Sequence, residues 1–489
     1  TEKDATMTND NILIPRRKYG AVFAALAIFL LADYLFKGVL YIGYWCNTLD
    51  VLAYYERFAI ALFICAAIFL RAPYLCAEER VLFLYAAWVC ITRLLNGDLR
   101  LMSDYDYFIR SVVMCSAFTG VGLVLAEKGR RAFINAASFI YCAVMLFFAV
   151  LGIYAVVRGI VIDLPFEITV GISKNGGTNF IEISNISRTV SGMWFCIAAC
   201  LTLYLMFAYK NRVFRVFAGV CAFIFYCAVA LSFGRTAMLA MCAAVAMLGM
   251  LLVLRRLAGK SVRVKAVALA VTAAVLLLAS YKGYGLVQAA FSRLAAVCTV
   301  ESVQTEPFAP AEDAEPAAEA AADSDETEQP AFVENRSLFD LSGRTDIWRY
   351  GFITLKNDPT VLLRGGLVDD YMRASNALNP ATEYMQHMHN FLLDSLMLTG
   401  LVGLVLLAVF AVLLVVHMIR LFFAPDTQVG FEKKLLTLPL AAILLENTME
   451  AVIFRYTDPI SICFFLVAGV FLAYSYELLP EKKLHLRKT

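Results

Sequence analysis

A few polar residues stand where chemistry is possible in a chain that is otherwise mostly apolar. Arg188, Arg235 and Arg344 each open an expected helix, and His389 sits at the entrance to a long apolar run. A guanidinium offers a planar fork of N–H donors that matches phosphate oxygens, so three arginines beside one polar loop suit an anion. An imidazole takes up and returns a proton near neutral pH. Glu446 and Glu450 are four residues apart, on one face of an expected span, and carboxylates inside a membrane are seldom idle. Their first expected role is to pair with the arginines. Singly, an arginine at a helix end is ordinary snorkelling and an interfacial histidine is usually structural. The case for a site rests on their gathering in one region.

That region is a polar loop leading into a span. It opens with Gly343-Arg344-Thr345-Asp346-Ile347-Trp348, passes through Leu363-Arg364-Gly365-Gly366 and reaches His387-Met388-His389-Asn390. Ser342 can cap a helix through about residue 357, with Ile347, Trp348, Gly351, Phe352 and Leu355 on one side and Asp358-Pro359 as its stop. Such a helix would lie over a membrane mouth. His387 and His389 are two residues apart, hence about 200° apart on a helix, so one of them faces the site. Gly400 and Gly403 would share a helix face and permit close packing.

The composition sets the class. The 489 residues are 61% hydrophobic and 17% charged, with mean hydropathy +0.72. A soluble surface needs far more charge. Repeated apolar runs of about 18–25 residues can cross a bilayer as helices. The net charge of +2 says nothing about nucleic acid, and no nucleic-acid partner is expected. Most of the 13 cysteines fall inside apolar runs, where a thiol behaves as a small hydrophobe. No Walker loop, HExxH, GxSxG or CxxC is present.

The expected architecture is an all-α polytopic membrane protein with about twelve transmembrane helices and a large extracytoplasmic loop between helices 9 and 10. Residues 1–18 form an N-terminal cytoplasmic tail, 19–281 carry helices 1–9, 389–478 helices 10–12, and 479–489 a cytoplasmic tail. The spans fall at about 19–44, 51–70, 80–97, 106–126, 131–157, 186–208, 213–232, 235–254, 264–281, 389–416, 434–453 and 459–478. Lysine and arginine gather in the short loops on one side, which the positive-inside rule makes the cytoplasm. Residues 282–388 form the outer loop. Within it, 301–335 is acidic, rich in alanine and proline and without a lysine or arginine, a composition that predicts a disordered linker. Residues 338–388 are its ordered, helical, catalytic part. The cytoplasmic loops are too short for a soluble catalytic domain, so a substrate must arrive within the membrane or outside it.

His389-Asn390, nine residues, Gly400, two residues, Gly403 resembles the His-[Asn/Ser/Gln]-x9-Gly-x-x-[Gly/Thr/Tyr] signature of O-antigen ligases. The Ser342-Gly343-Arg344…Ile347-Trp348 run and Leu363-Arg364-Gly365-Gly366 are similar to the core of the wider O-antigen ligase and polymerase family. Ser232-Phe233-Gly234-Arg235-Thr236 resembles its Ser-Arg-Gly motif with one residue inserted between the serine and the arginine, and Asn185-Ile186-Ser187-Arg188 matches loosely.

The resemblance implies a GT-C-type glycosyltransferase of the bacterial inner membrane. It would move a glycan from undecaprenyl diphosphate to a hydroxyl of an acceptor glycan or glycolipid, outside the cytoplasm, with inversion. It implies no cofactor and no metal. Arg188 and Arg235 would hold the diphosphate, His389 would serve the acceptor, and Arg344 either. Asn390, Trp348, Glu446 and Glu450 complete the expected substrate contacts, the glutamates by pairing with arginines or receiving the acceptor sugar. Asp104-Tyr105-Asp106, in an outer loop, is the alternative that would call for a metal. A polymerase of the same family, or a lipid-linked polysaccharide flippase, are the competing readings. The polar residues gather at one membrane face and no internal repeat is visible, which weighs against a transporter.

Overall fold

The computed structural model describes residues 76–96, 113, 116–120, 130–164, 168–172, 181–183, 188–303, 344–366, 388–450, 453 and 459–478. The expected spans at 19–44 and 51–70, Asp104 and Asp106, His387 and nearly all of the 301–335 linker lie outside these residues, as does most of the span at 106–126.

The described elements are α1 (Ala77–Leu95), α2 (Arg130–Arg158), β1 (Ile162–Leu164), β2 (Ile168–Ile172), β3 (Ile181–Ile183), α3 (Arg188–Ala208), α4 (Arg212–Ser232), α5 (Arg235–Arg256) and α6 (Val262–Val303). They continue with α7 (Arg344–Asn357), α8 (Val361–Arg364), α9 (Phe391–Phe423), α10 (Asp426–Val429), α11 (Phe431–Lys434), α12 (Thr437–Glu446) and α13 (Pro459–Glu477). Among the described residues six helices, α2 to α6 and α9, are long and apolar enough to cross a membrane. The shorter α13 is apolar as well.

Helix α3 forms the centre. It is apolar all round, and nearly every residue from Ser191 to Leu205 is buried against α2, α4, α5 and α12. A helix of that kind belongs inside a bundle. Helix α6, by contrast, packs on α5 and leaves most of its apolar surface outward, with Val262 and Leu286 largely exposed. Apolar side chains facing outward fit a lipid surround, which has no need of a polar coat.

Three expectations change. The fold is not wholly α: β1, β2 and β3 form an antiparallel sheet in that order, in the connection from α2 to α3. Alternating β-branched residues there favour pleated pairing, and β2 and β3 rest on α2. The chain also does not leave the helix at the expected loop start, residue 282: α6 runs unbroken to Val303. Nothing between 282 and 303 is a helix breaker of the proline kind. The span expected at 434–453 is shorter as a helix, α12 ending at Glu446.

Helix α9 is broken at Gly400, whose φ of 66° and ψ of −171° are not helical. The expected common face of Gly400 and Gly403 therefore does not exist as drawn; a different close contact replaces it. A Cβ on Gly400 would stand 2.6 Å from the Leu363 carbonyl oxygen, and Gly365 (φ 69°) presses on the Leu398 carbonyl in return. The break releases backbone acceptors on the preceding turn. Met397 O takes the Gly366 N–H at 2.7 Å and Thr399 O takes the Trp88 indole N–H at 2.7 Å. An interrupted membrane helix persists only where neighbours re-satisfy its backbone in this way.

Candidate active site

The chain ahead of α9 does not enter as helix at His389. Asn390 is the N-cap, its side-chain oxygen accepting from Leu393 N at 3.1 Å while its amide donates to Thr448 O at 2.9 Å. His389 precedes the cap with φ 49°, in the left-handed region. The helical-period argument separating His387 from His389 therefore does not apply. A non-glycine residue held there is strained and persists only when its surroundings over-determine it.

The surroundings do so. Met388, the neighbour of His389, is gripped on both sides of its backbone: its N–H donates to Asp394 Oδ1 at 2.8 Å, and its carbonyl accepts from Trp348 Nε1 at 2.8 Å. Its side chain lies in a small apolar cluster with Ile347, Leu355, Val361, Met397 and Leu398. Helix α7 thus clamps the turn that presents the histidine.

Glu450 completes the arrangement. Its carboxylate accepts from Arg344 Nη2 on one oxygen, and His389 Nδ1 lies 2.9 Å from the other. Arg344 and Glu450 are 15% and 8% exposed in their side chains, and His389 22%, so the histidine keeps the wetter position. Glu450 lies in the loop past the end of α12. Burial by itself pushes its carboxyl up, but the hydrogen bond and charge of His389 and the Arg344 guanidinium outweigh it and hold the group below the usual carboxylate range. An ionised carboxylate can only accept, so Nδ1 is the donor and Nε2 of a neutral ring carries the lone pair.

The other expected residues join this corner through the backbone. Glu450 N donates to Glu446 O at 2.9 Å, which keeps the two glutamates one turn apart even beyond the helix. Glu446, fully buried, accepts from Thr236 Oγ1 at 3.2 Å. Thr236 follows Arg235 at the start of α5, and the turn before it abuts the start of α3: a Cβ on Gly234 would stand 2.8 Å from Arg188 O. Only glycine permits that approach. Phe233, which takes φ 53°, closes α4 so that the inserted residue of the Ser232-Phe233-Gly234-Arg235 run becomes the turn itself. Arg188 and Arg235 are both partly buried at this junction.

Residues 220–408 match the family model described as O-antigen ligase. Across that stretch the chain is similar to the O-antigen ligase family. The match takes in Arg235, Arg344 and His389, whereas Arg188, Glu446 and Glu450 lie outside it. No curated protein matches the chain.

Two expected substrate contacts have their hydrogen-bonding groups engaged internally. Trp348 and Asn390 hold the His389 turn from either side. Residues not foreseen include Asp394 and Asn447, and Thr236, read only as part of a motif, gains its contact with Glu446. Asn447 organises the Glu450 loop by accepting from Ile453 N at 2.9 Å, and its carbonyl accepts from Phe391 N at 3.1 Å. Asp394 carried a readable signal, being a carboxylate in the first turn of an apolar helix, where the helix dipole favours an anion. Among the described residues no group of three or more His, Cys, Asp or Glu side chains could hold a metal ion.

Proposed function

We propose that this membrane protein transfers a glycan from undecaprenyl diphosphate to an acceptor sugar hydroxyl on the extracytoplasmic face of the bacterial inner membrane, both chain termini being cytoplasmic. The observation that carries the reading is Glu450 bridging Arg344 and His389. It orients the His389 imidazole through Nδ1, beside cationic groups, and the reading assigns Nε2 as the base. Arg188 and Arg235 take the donor diphosphate, supported by their joint position where α3 meets the α4–α5 turn.

The step is a direct displacement. The acceptor oxygen bonds the anomeric carbon as the bond from that carbon to the diphosphate oxygen breaks. The electron pair leaves with the diphosphate, whose growing charge the arginines neutralise. The hydroxyl proton passes to His389 Nε2, and Glu450 steadies the imidazolium formed. Attack opposite the leaving group inverts the anomeric centre, and no metal enters the scheme.

A glycan acceptor on lipid A core, the ligase reaction, is favoured by the full His389-Asn390…Gly400…Gly403 signature. The test is purified protein with lipid-linked oligosaccharide, with and without core acceptor, scored by transfer product. Transfer to core is expected; lengthening of the lipid-linked glycan alone would make the enzyme a polymerase, and translocation without transfer would make it a flippase. His389→Ala should lower turnover by about 10² to 10⁴ while donor binding persists. Lost donor affinity would assign His389 to the diphosphate instead.

A further inference from the structure

Away from the site, three helices leave a groove that the transfer reaction does not use. Ala143 of α2 and Ala218 and Cys221 of α4 are small, and between them opens a slot lined also by Thr202 of α3, Phe139 and Phe217. Thr202 lies about 21 Å along α3 from Arg188, at 1.5 Å per residue. Its hydroxyl donates to Cys142 Sγ at 3.2 Å, so the slot offers a ligand almost no polar partner. Phe139 and Phe217 are 56% and 55% exposed, which leaves the slot open to the outside of the bundle.

The slot has a polar mouth. Phe139 also lines an adjoining, open cleft with Arg131, Asn135 and Tyr209. The cleft lies where α2 begins and α3 ends, and helices long enough to span a bilayer have such ends at its interface. Tyrosine is an interface residue. Arg131 gives one hydrogen bond to Ala208 O at 2.6 Å and is exposed. Lys210 and Arg212, on the next turn, are exposed as well, and residues 209–215 contain no acid. A cationic mouth thus opens into an apolar slot.

We propose that this groove binds one anionic phospholipid of the surrounding bilayer, its phosphate among Arg131, Lys210 and Arg212 and one acyl chain between α2 and α4. A zwitterionic headgroup would bring its own cation into the same mouth, so charge selects the anionic lipid. A lipid-linked donor is disfavoured because the mouth is at the far end of α3 from Arg188. The chain fills the gap left by small residues and cements α2 to α4.

The test uses purified full-length protein in detergent with added phosphatidylglycerol or phosphatidylcholine, read by thermal unfolding and by native mass spectrometry. Phosphatidylglycerol should raise Tm by several degrees and persist as a single adduct; phosphatidylcholine should do neither. Ala143→Trp, at an exposed position in the opening, should abolish both effects. The double variant Lys210→Glu/Arg212→Glu, also exposed, should remove the preference for the anionic lipid and serves if the tryptophan variant folds poorly. Equal effects of the two lipids on the native chain, an undiminished shift in Ala143→Trp, an undiminished preference in the double variant, or displacement of phosphatidylglycerol by a polyprenyl phosphate would each overturn the proposal.

Discussion

His389 Nδ1 lies 2.9 Å from Glu450 Oε2, across 61 positions of sequence and a full apolar helix. The other Glu450 oxygen takes Arg344, so one carboxylate ties the loop helix, the entrance of α9 and the end of α12. The three residues come from parts of the chain with no local relationship. Their meeting gives the histidine a defined tautomer and orientation.

Glu450→Gln should uncouple that corner. The amide can still accept from Nδ1, but it then turns an N–H2 towards Arg344, donor against donor. Turnover should fall by about 10² or more, the scale of a misoriented base. Glu450→Ala should also cost about 3–5 kcal/mol, because it strands a mostly buried arginine. Since Glu450 titrates below the usual carboxylate range, its stabilisation is present above the unfolded value of about 4.3 and is lost as pH falls through the lower folded value. Thermal unfolding followed from pH 7 to pH 3 should show native and Glu450→Gln curves separated down to about pH 4 and converging below it. Parallel curves throughout would mean the pair carries no stability.

Arg188→Ala and Arg235→Ala should each abolish transfer while the protein elutes as a folded species. Lysine should rescue poorly, because an ammonium cannot reproduce the guanidinium fork. Full activity in either alanine variant would remove that arginine from the diphosphate.

The left-handed turn at His389 makes Trp348 and Asp394 positioning residues. Trp348→Phe keeps the ring and loses one hydrogen bond, about 0.5–1.5 kcal/mol, so kcat should drop roughly 3- to 10-fold with donor KM unchanged. Asp394→Asn retains an acceptor for Met388 N and should stay close to native. Asp394→Ala should cost about 1–3 kcal/mol for the stranded N–H. A rise in KM with kcat intact would place Trp348 on the substrate after all.

Gly400→Ala should destabilise by at least about 2 kcal/mol, through left-handed strain and collision with the Leu363 carbonyl. A Cβ on Gly403 would collide with Thr399 Oγ1 and stand 3.3 Å from the Trp88 ring, so Gly403→Ala tests side-chain collision without left-handed strain. A melting temperature of Gly400→Ala equal to that of the native chain would argue that the break at Gly400 is not obligatory.

Much of the fold was legible without coordinates. Length and hydropathy alone delimit α2 to α5, because a bilayer demands runs of a set length and every backbone group must be satisfied within the helix. The loop helix at Arg344–Asn357 follows from its stop at Asp358-Pro359. Residue types picked out His389 and the arginines, since few polar groups survive in so apolar a chain. Periodicity misled where the chain leaves the helix: at His389, at Gly400 and past Glu446 the backbone turns, and an angle counted along a helix has no meaning there. Nor could the sequence pair Glu450 with His389, fasten Leu363-Arg364-Gly365-Gly366 to the break at Gly400, or assign the Trp348 indole to Met388. Those contacts join residues distant in sequence, and only the packing of α7, α9 and α12 decides which donor reaches which acceptor.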